Sequence, residues 1–300
     1  MKKSLLPLTA LLSLLICAPL RAGWWAENDY VTGSNGFKKD SISVFTNIST
    51  RTVLAPGAAF YKDRGDYRDA VYSLRLPVMY SGDNYFLSFK PFLYPLHKNH
   101  KIIGPINSAV EAQTESSAIG AKVYVLTKLG ESYDLSYLHL TVSGATAKQK
   151  TSLEDTTTKT NKTFSQNAFE VQLEKGFYNQ FFLLASASGF TKPAGAKNPD
   201  LPVMDQADLA YLGTFRTITA IPEWALALQF ARNMAPDFDS HLYAGFSRIS
   251  FRQAEPGSST VFGMKLRLNE GASLDLAYNF YTQKPAAGKN YYRIFVQVLF

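Results

Sequence analysis

The sequence predicts an all-β fold, an antiparallel transmembrane β-barrel of about twelve strands with fourteen as the alternative. Three observations predict it: short segments in which apolar and polar residues alternate, an N-terminus patterned for export, and a chain rich in aromatics. Alternation with period two gives a strand one greasy and one polar face. Tyr and Phe, numbering 17 and 21, suit such half-buried strands. Beyond the N-terminus no run is apolar enough for a spanning helix.

The first 22 residues place Lys2 and Lys3 ahead of an apolar run from Leu5 to Ala18 and close on Ala22, the layout of a secretory signal. Residues 23–41 then read as an N-terminal periplasmic segment, a strap or plug, or an extra strand, and residues 42–300 as the barrel. Cys17 is the single cysteine, so cleavage would leave no disulfide or cysteine metal site. Losing Lys2, Lys3 and Arg21 from 31 basic residues leaves 28 against 24 acids, a formal charge of +4. So mild an excess excludes a nucleic-acid partner.

Strands are expected near 42–50, 68–80, 84–94, 116–128, 131–143, 164–176, 179–190, 207–219, 223–233, 241–252, 259–269, 273–283 and 290–300. In VFGMKLRLNEGASLDLAYNFYT, Phe262, Met264, Leu266 and Leu268 share a face opposite Lys265 and Arg267, and Leu274, Leu276, Tyr278 and Phe280 continue the pattern after the turn. AFEVQLEK divides likewise. A soluble sandwich also alternates, but strands of about 10 to 13 residues are long enough to cross a bilayer when tilted. Tyr and Phe near strand ends, as in YSGDNYF, FYNQFF and KNYYRIF, add the aromatic girdle of a membrane barrel.

Short turns at SGDN, KLGES, KGFYN and AIPE alternate with longer pieces at 51–67, 95–115, 144–163 and 191–206. The Thr- and Lys-rich SGATAKQKTSLEDTTTKTNKT reads as a mobile outer loop. The alternation then slips out of phase, since NEGAS belongs at the inner end and TQKPAAGKN at the outer. Thirteen strands is also an odd count for a single-chain barrel. One segment between 190 and 255 is therefore expected to be misassigned.

The last ten residues, YYRIFVQVLF, resemble the C-terminal strand of bacterial outer-membrane barrel proteins, with Tyr292, Ile294, Val296, Val298 and Phe300 as the alternating apolar set and final aromatic. The resemblance implies the outer membrane of a Gram-negative bacterium. It also implies partners: outer-membrane lipid, periplasmic chaperones and the barrel-assembly machinery. AENDYVTGSNGF at 26–37 resembles the N-terminal motif of outer-membrane lipid A deacylases, which implies Asn28, Asp29 and His100 as catalytic candidates. Phe37 and Lys38 stand where that family has tyrosine and threonine, and Ile106 where it has glutamate.

With the apolar face on lipid, the lumen would be lined by Arg75, Lys90, Lys122, Arg216, Arg248, Arg252, Lys265, Arg267 and Arg293 against Glu170, Glu174 and Asp275. Rings of Arg or Lys favour anions. The same polar residues could instead pair into a web that fills a small barrel. His97 and His100 lack a neighbouring carboxylate and read as loop histidines, and no hydrolase, zinc, phosphate-loop or dinucleotide motif is present. The expected function is passive passage of small solutes, with anions favoured, and no cofactor or metal. The alternatives are a lipid-modifying hydrolase of the lipid A deacylase type and a plugged structural or adhesive barrel.

Overall fold

The computed structural model describes residues 23–300 apart from 64–69, 104–109, 132–135, 155–158, 179, 194–203, 236–239 and 253. The chain runs through β1 (Trp24–Gly33), β2 (Phe37–Asn47), β3 (Thr52–Leu54), β4 (Gly57–Lys62), β5 (Val71–Arg75), β6 (Val78–Ser81), β7 (Tyr85–Ile103) and β8 (Val110–Glu131). It continues with β9 (Tyr137–Glu154), β10 (Lys159–Phe177), β11 (Phe181–Phe190), β12 (Pro222–Ala235), β13 (Ser240–Phe251), β14 (Gly257–Asn269), β15 (Ala272–Gln283) and β16 (Ala286–Leu299). Among the described residues, fourteen of these form an antiparallel ring that closes where β1 pairs with both β16 and β2. Closure removes the sheet edges that lipid could not satisfy.

The two strands outside the ring order, β3 and β6, bridge β2 to β7. They are separated from β4 and β5 by Pro56 and Pro77, which lack the N–H that a continuous ladder needs. The proline carbonyls still accept: Val44 N–H donates to Pro56 O at 3.0 Å and Ala55 N–H to Pro77 O at 2.9 Å. The wall is thus bent here rather than open.

The count corrects the expectation of twelve to its alternative. Residues 24–33, read as a strap or an extra strand, are wall strand β1, and residues 52–62, read as loop, carry β3 and β4. Residues 207–219 are not a strand at all. AIPE is the entry to β12 and not a turn between strands. With these changes the phase is restored: SGDN, KGFYN and NEGAS all turn at the end holding Gly23 and Phe300, called here the terminal end. Much of the Thr- and Lys-rich piece expected as a loop extends β9 and β10, which pair from Tyr137–Gly176 out to Glu154–Lys159.

The barrel is inside out relative to a soluble protein. Phe169, Val171 and Leu173 of β10 and Leu226, Leu228 and Phe230 of β12 are exposed on the outer face, while Glu170, Ser186, Ser188, Ser247 and Asn279 are buried on the inner one. Phe181 and Phe230 stack on the outer face with ring centroids 5.7 Å apart. A wide apolar exterior on a closed barrel is stable only against hydrocarbon. Among the described residues, the buried apolar cluster sits inside the lumen, where Met204, Leu209, Ala210, Leu212 and Ile218 meet Phe92, Tyr94, Phe190, Phe251, Tyr281 and Tyr291 of the wall.

Candidate functional site

Residues 204–221, the last part of the connection from β11 to β12, fold back into the lumen as a plug. Its local structure follows from a cap. Asp205 accepts from Ala207 N–H at 3.1 Å and from Ile218 N–H at 3.3 Å, starting a single 3-10 turn at Gln206–Asp208 and pinning the returning chain to it. Gln206 N–H donates to Ile218 O at 2.8 Å, closing the loop on itself. Gly213 takes φ +62 with its Cα against Ser247, where a β-carbon would strain both backbone and contact.

The plug carries two carboxylates to the opposite side of the ring. Asp208 receives Arg75 Nη2 of β5 at 3.3 Å, with Nε of the same guanidinium 3.0 Å away, Lys90 Nζ of β7 at 3.2 Å and the Tyr94 hydroxyl at 2.7 Å, and Asp205 receives Lys39 Nζ of β2 at 2.7 Å. Asp205 N–H also donates to the Tyr94 oxygen at 3.1 Å. Burial by itself would raise the Asp208 carboxyl, but Arg75 and Lys90, the Tyr94 hydroxyl and Lys39 outweigh it and hold the group well below the usual carboxylate range. A buried carboxylate satisfied by two cations and a hydroxyl is a latch, because removing any partner leaves charge stranded.

A second anchor is Glu170 of β10. It takes Lys122 Nζ at 2.7 Å, Ser143 Oγ at 3.1 Å, Ser186 Oγ at 3.2 Å and, from the plug, Tyr211 N–H at 3.1 Å. Further contacts ring the plug: Ser247 Oγ donates to Gly213 O at 3.1 Å, and Phe215 N–H donates to Asn279 Oδ1 at 3.1 Å.

Between plug and terminal end lies a polar chamber of ≈ 300 Å³ bounded by Tyr211, Phe215, Gln229, His241, Tyr243 and Arg293. Arg293 bridges Asp29 at 2.8 Å and Asp275 at 3.4 Å, and the Tyr243 hydroxyl donates to Asp275 at 2.8 Å. The Arg293 guanidinium also lies 5.4 Å from the Phe215 ring.

The structure distributes the sequence candidates unevenly. Arg75, Lys90, Lys122, Glu170, Asp275 and Arg293 point into the lumen and are paired there; Lys265 faces Asp275 across the β14–β15 ladder, and Glu174 accepts the Tyr137 hydroxyl at 2.6 Å. Arg267 sits at the terminal mouth, bonded to Asn269 O at 3.4 Å. Three positions are corrected. Arg216 belongs to the plug, 4.9 Å above the Tyr281 ring. Arg248 is exposed on the outer face of β13 with Leu242 and Phe246, because the inward positions Ile249 and Phe251 are apolar to meet the plug. Arg252 lies at the rim, bonded to Phe190 O at 2.7 Å.

β1 also separates the hydrolase candidates. Asn28 lies on the outer face and donates to Asp40 at 2.8 Å, whereas Asp29 faces the lumen and Arg293. The His100 side chain lies outside the described residues. Tyr292, Ile294, Val296 and Val298 point outward along β16 beside β1. Asp205, Asp208, Lys39 and Tyr94 escaped the sequence reading. The signal for the first two was DQAD, whose acid pair marks a helical start rather than a strand.

No family model matches the chain, and neither does any curated protein sequence. Among solved structures, CdiB from Acinetobacter baumannii superposes with TM-score 0.52 at 11% identity, over 93% of this chain and 60% of CdiB. A loop-deletion mutant of OmpT, an outer membrane protein of Vibrio cholerae, gives 0.48 at 11% identity over 93% and 99%. The Pseudomonas putida toluene transporter TodX gives 0.49 at 12% identity over 96% and 92%. The fold is that of a bacterial outer-membrane β-barrel. In this barrel Arg75 and Lys90, assigned to a channel lining, are engaged by an inserted segment of the same chain, while Lys122 and Arg293 pair with carboxylates of the wall.

Proposed function

We propose that the protein is an outer-membrane conduit for small solutes whose lumen is controlled by the segment 204–221. The observation that carries this reading is the latch: Asp205 and Asp208 reach across the lumen to Lys39, Arg75 and Lys90, while a polar chamber stays unfilled on the terminal side, the periplasmic side in this orientation. A barrel serving only as a scaffold could fill its lumen with wall side chains alone. The anion preference expected from sequence belongs to the unplugged barrel, because in the plugged one those cations are neutralised.

The test is planar-bilayer conductance of the intact protein and of a variant lacking 205–218 joined by a short Gly-Ser linker. The intact protein is expected to show small or infrequent openings, and the deletion steady conductance favouring chloride over potassium, since it uncovers Lys39, Arg75 and Lys90. A folded deletion variant without conductance would refute the proposal.

A further inference from the structure

The terminal half of the lumen carries a strip of aromatic rings that the plug does not use. Along one cross-strand row the inward residues are Tyr137, Gly176, Phe182, Ala231, Tyr243 and Gly263, bulky and small in alternation. Each tyrosine leans over its small neighbour: a β-carbon on Gly176 would collide with the Tyr137 ring, and one on Gly263 with the Tyr243 ring. A ring laid over a glycine rests on the sheet. Its other face is turned to the lumen.

His241, one row nearer the terminal end, completes the strip. Ring centroids stand 6.0 Å apart for Tyr137 and Phe182, 6.3 Å for Phe182 and His241, and 6.0 Å for His241 and Tyr243. His139 stacks on Tyr137 at 4.4 Å. A cavity of ≈ 240 Å³ opens against these rings, with Glu174, Gln229 and His241 as its polar lining, and shares Gln229 and His241 with the larger chamber.

We infer that this strip is a binding site for neutral pyranose sugars entering from the terminal side. Aromatic faces accept the apolar C–H faces of a sugar ring, and a carboxylate, an amide and an imidazole between them match its hydroxyls. Among the described residues, Glu174 is the only carboxylate lining the cavity and no Lys or Arg lines it, which disfavours an anion. A compact quaternary ammonium would want rings boxed around it. Here the rings follow the wall, with interplanar angles of 39° and 57° along the strip, and suit an extended row of rings instead. The inference rests on the proposed conduit reading, because it needs a lumen that solutes reach.

Saturation-transfer NMR on the full chain folded in detergent micelles, with maltose as probe, tests it. Saturation should reach the maltose ring protons, and Phe182→Ala should weaken binding roughly threefold to tenfold, the size of one aromatic stacking contact. Glu174→Gln, which keeps every ring, should also weaken binding and covers the case in which Phe182→Ala does not fold. No transfer to maltose, or transfer unchanged in both folded variants, would overturn the assignment, as would choline or inorganic phosphate being saturated in its place. Conductance measured on the same preparations separates the two ideas: channels indifferent to maltose sink the sugar site alone, and bound maltose without conductance sinks the conduit alone.

Discussion

Replacing Asp208 with alanine strips two cations and a tyrosine hydroxyl of their shared acceptor at once. Arg75 and Lys90 contact this carboxylate at 3.0 and 3.2 Å, and its side chain is almost wholly buried. Breaking a buried pair by deleting one partner costs about 3 to 5 kcal/mol, chiefly through the charge left behind. At about 1.4 kcal/mol per decade, the ratio of docked to undocked plug should fall by about two to three and a half orders of magnitude. In a planar bilayer, Asp208→Ala should therefore open far more often than the intact protein. Limited proteolysis should cut within 204–221, where the intact plug is shielded. Adding Arg75→Met and Lys90→Met should recover much of the loss, because the stranded charges disappear with their partner. Unchanged gating together with unchanged protease protection in Asp208→Ala would refute the latch.

Protonation offers a milder perturbation of the same group. The folded-state value of Asp208 is depressed, so its stabilisation is present in full above the ordinary carboxylate value of about 3.9 and is lost only as pH falls below it toward the depressed one. Plug protection should stay level from pH 7 to 5 and fall only in stronger acid; a midpoint near pH 6 would contradict this. Leu228→Arg puts a charge on the exposed outer face of β12 and should destabilise the folded barrel by about 2 to 4 kcal/mol in urea unfolding from lipid vesicles, the range for Arg near the bilayer midplane. An unchanged midpoint would mean that this face does not meet hydrocarbon. Gly176→Ala drives a methyl into the Tyr137 ring and should cost about 1 to 3 kcal/mol in the same assay, the usual penalty of overpacking. Gly144→Ala, which meets open space, is the matched control.

The wall was legible because its physics is local and periodic. Phe169, Val171 and Leu173 against Glu170, Gln172 and Glu174 declare two faces without reference to any other strand, and the inside-out burial follows once the apolar face meets lipid. The plug was not legible for the opposite reason. Residues 207–219 have enough apolar residues to pass for a strand, but Leu209, Leu212 and Ile218 find their partners on strands far away in sequence, and no period records that. Arg248 failed by inheritance. Once Ile249 and Phe251 turn inward to meet the plug, the rule that polar means lumen reverses on that stretch of β13. The sequence reading weighed Arg75 and Lys90 without Asp208, and Lys122 without its pairing to Glu170, because neither partner is near them in sequence.

The path of segment 204–221 also bears on the shape of the wall. It springs from the β11–β12 side and is fastened at Lys39, Arg75 and Lys90 on the far side, with Glu170, Ser247 and Asn279 holding it between. A hoop of hydrogen-bonded strands resists stretching around its circumference but flattens easily across its diameter. A member tied to both sides acts as a cross-brace, fixing the span between walls that share no ladder. The bend at Pro56 and Pro77 lies in the arc between β2 and β7 that this brace grips, so the most interrupted part of the hoop is also the part held from within.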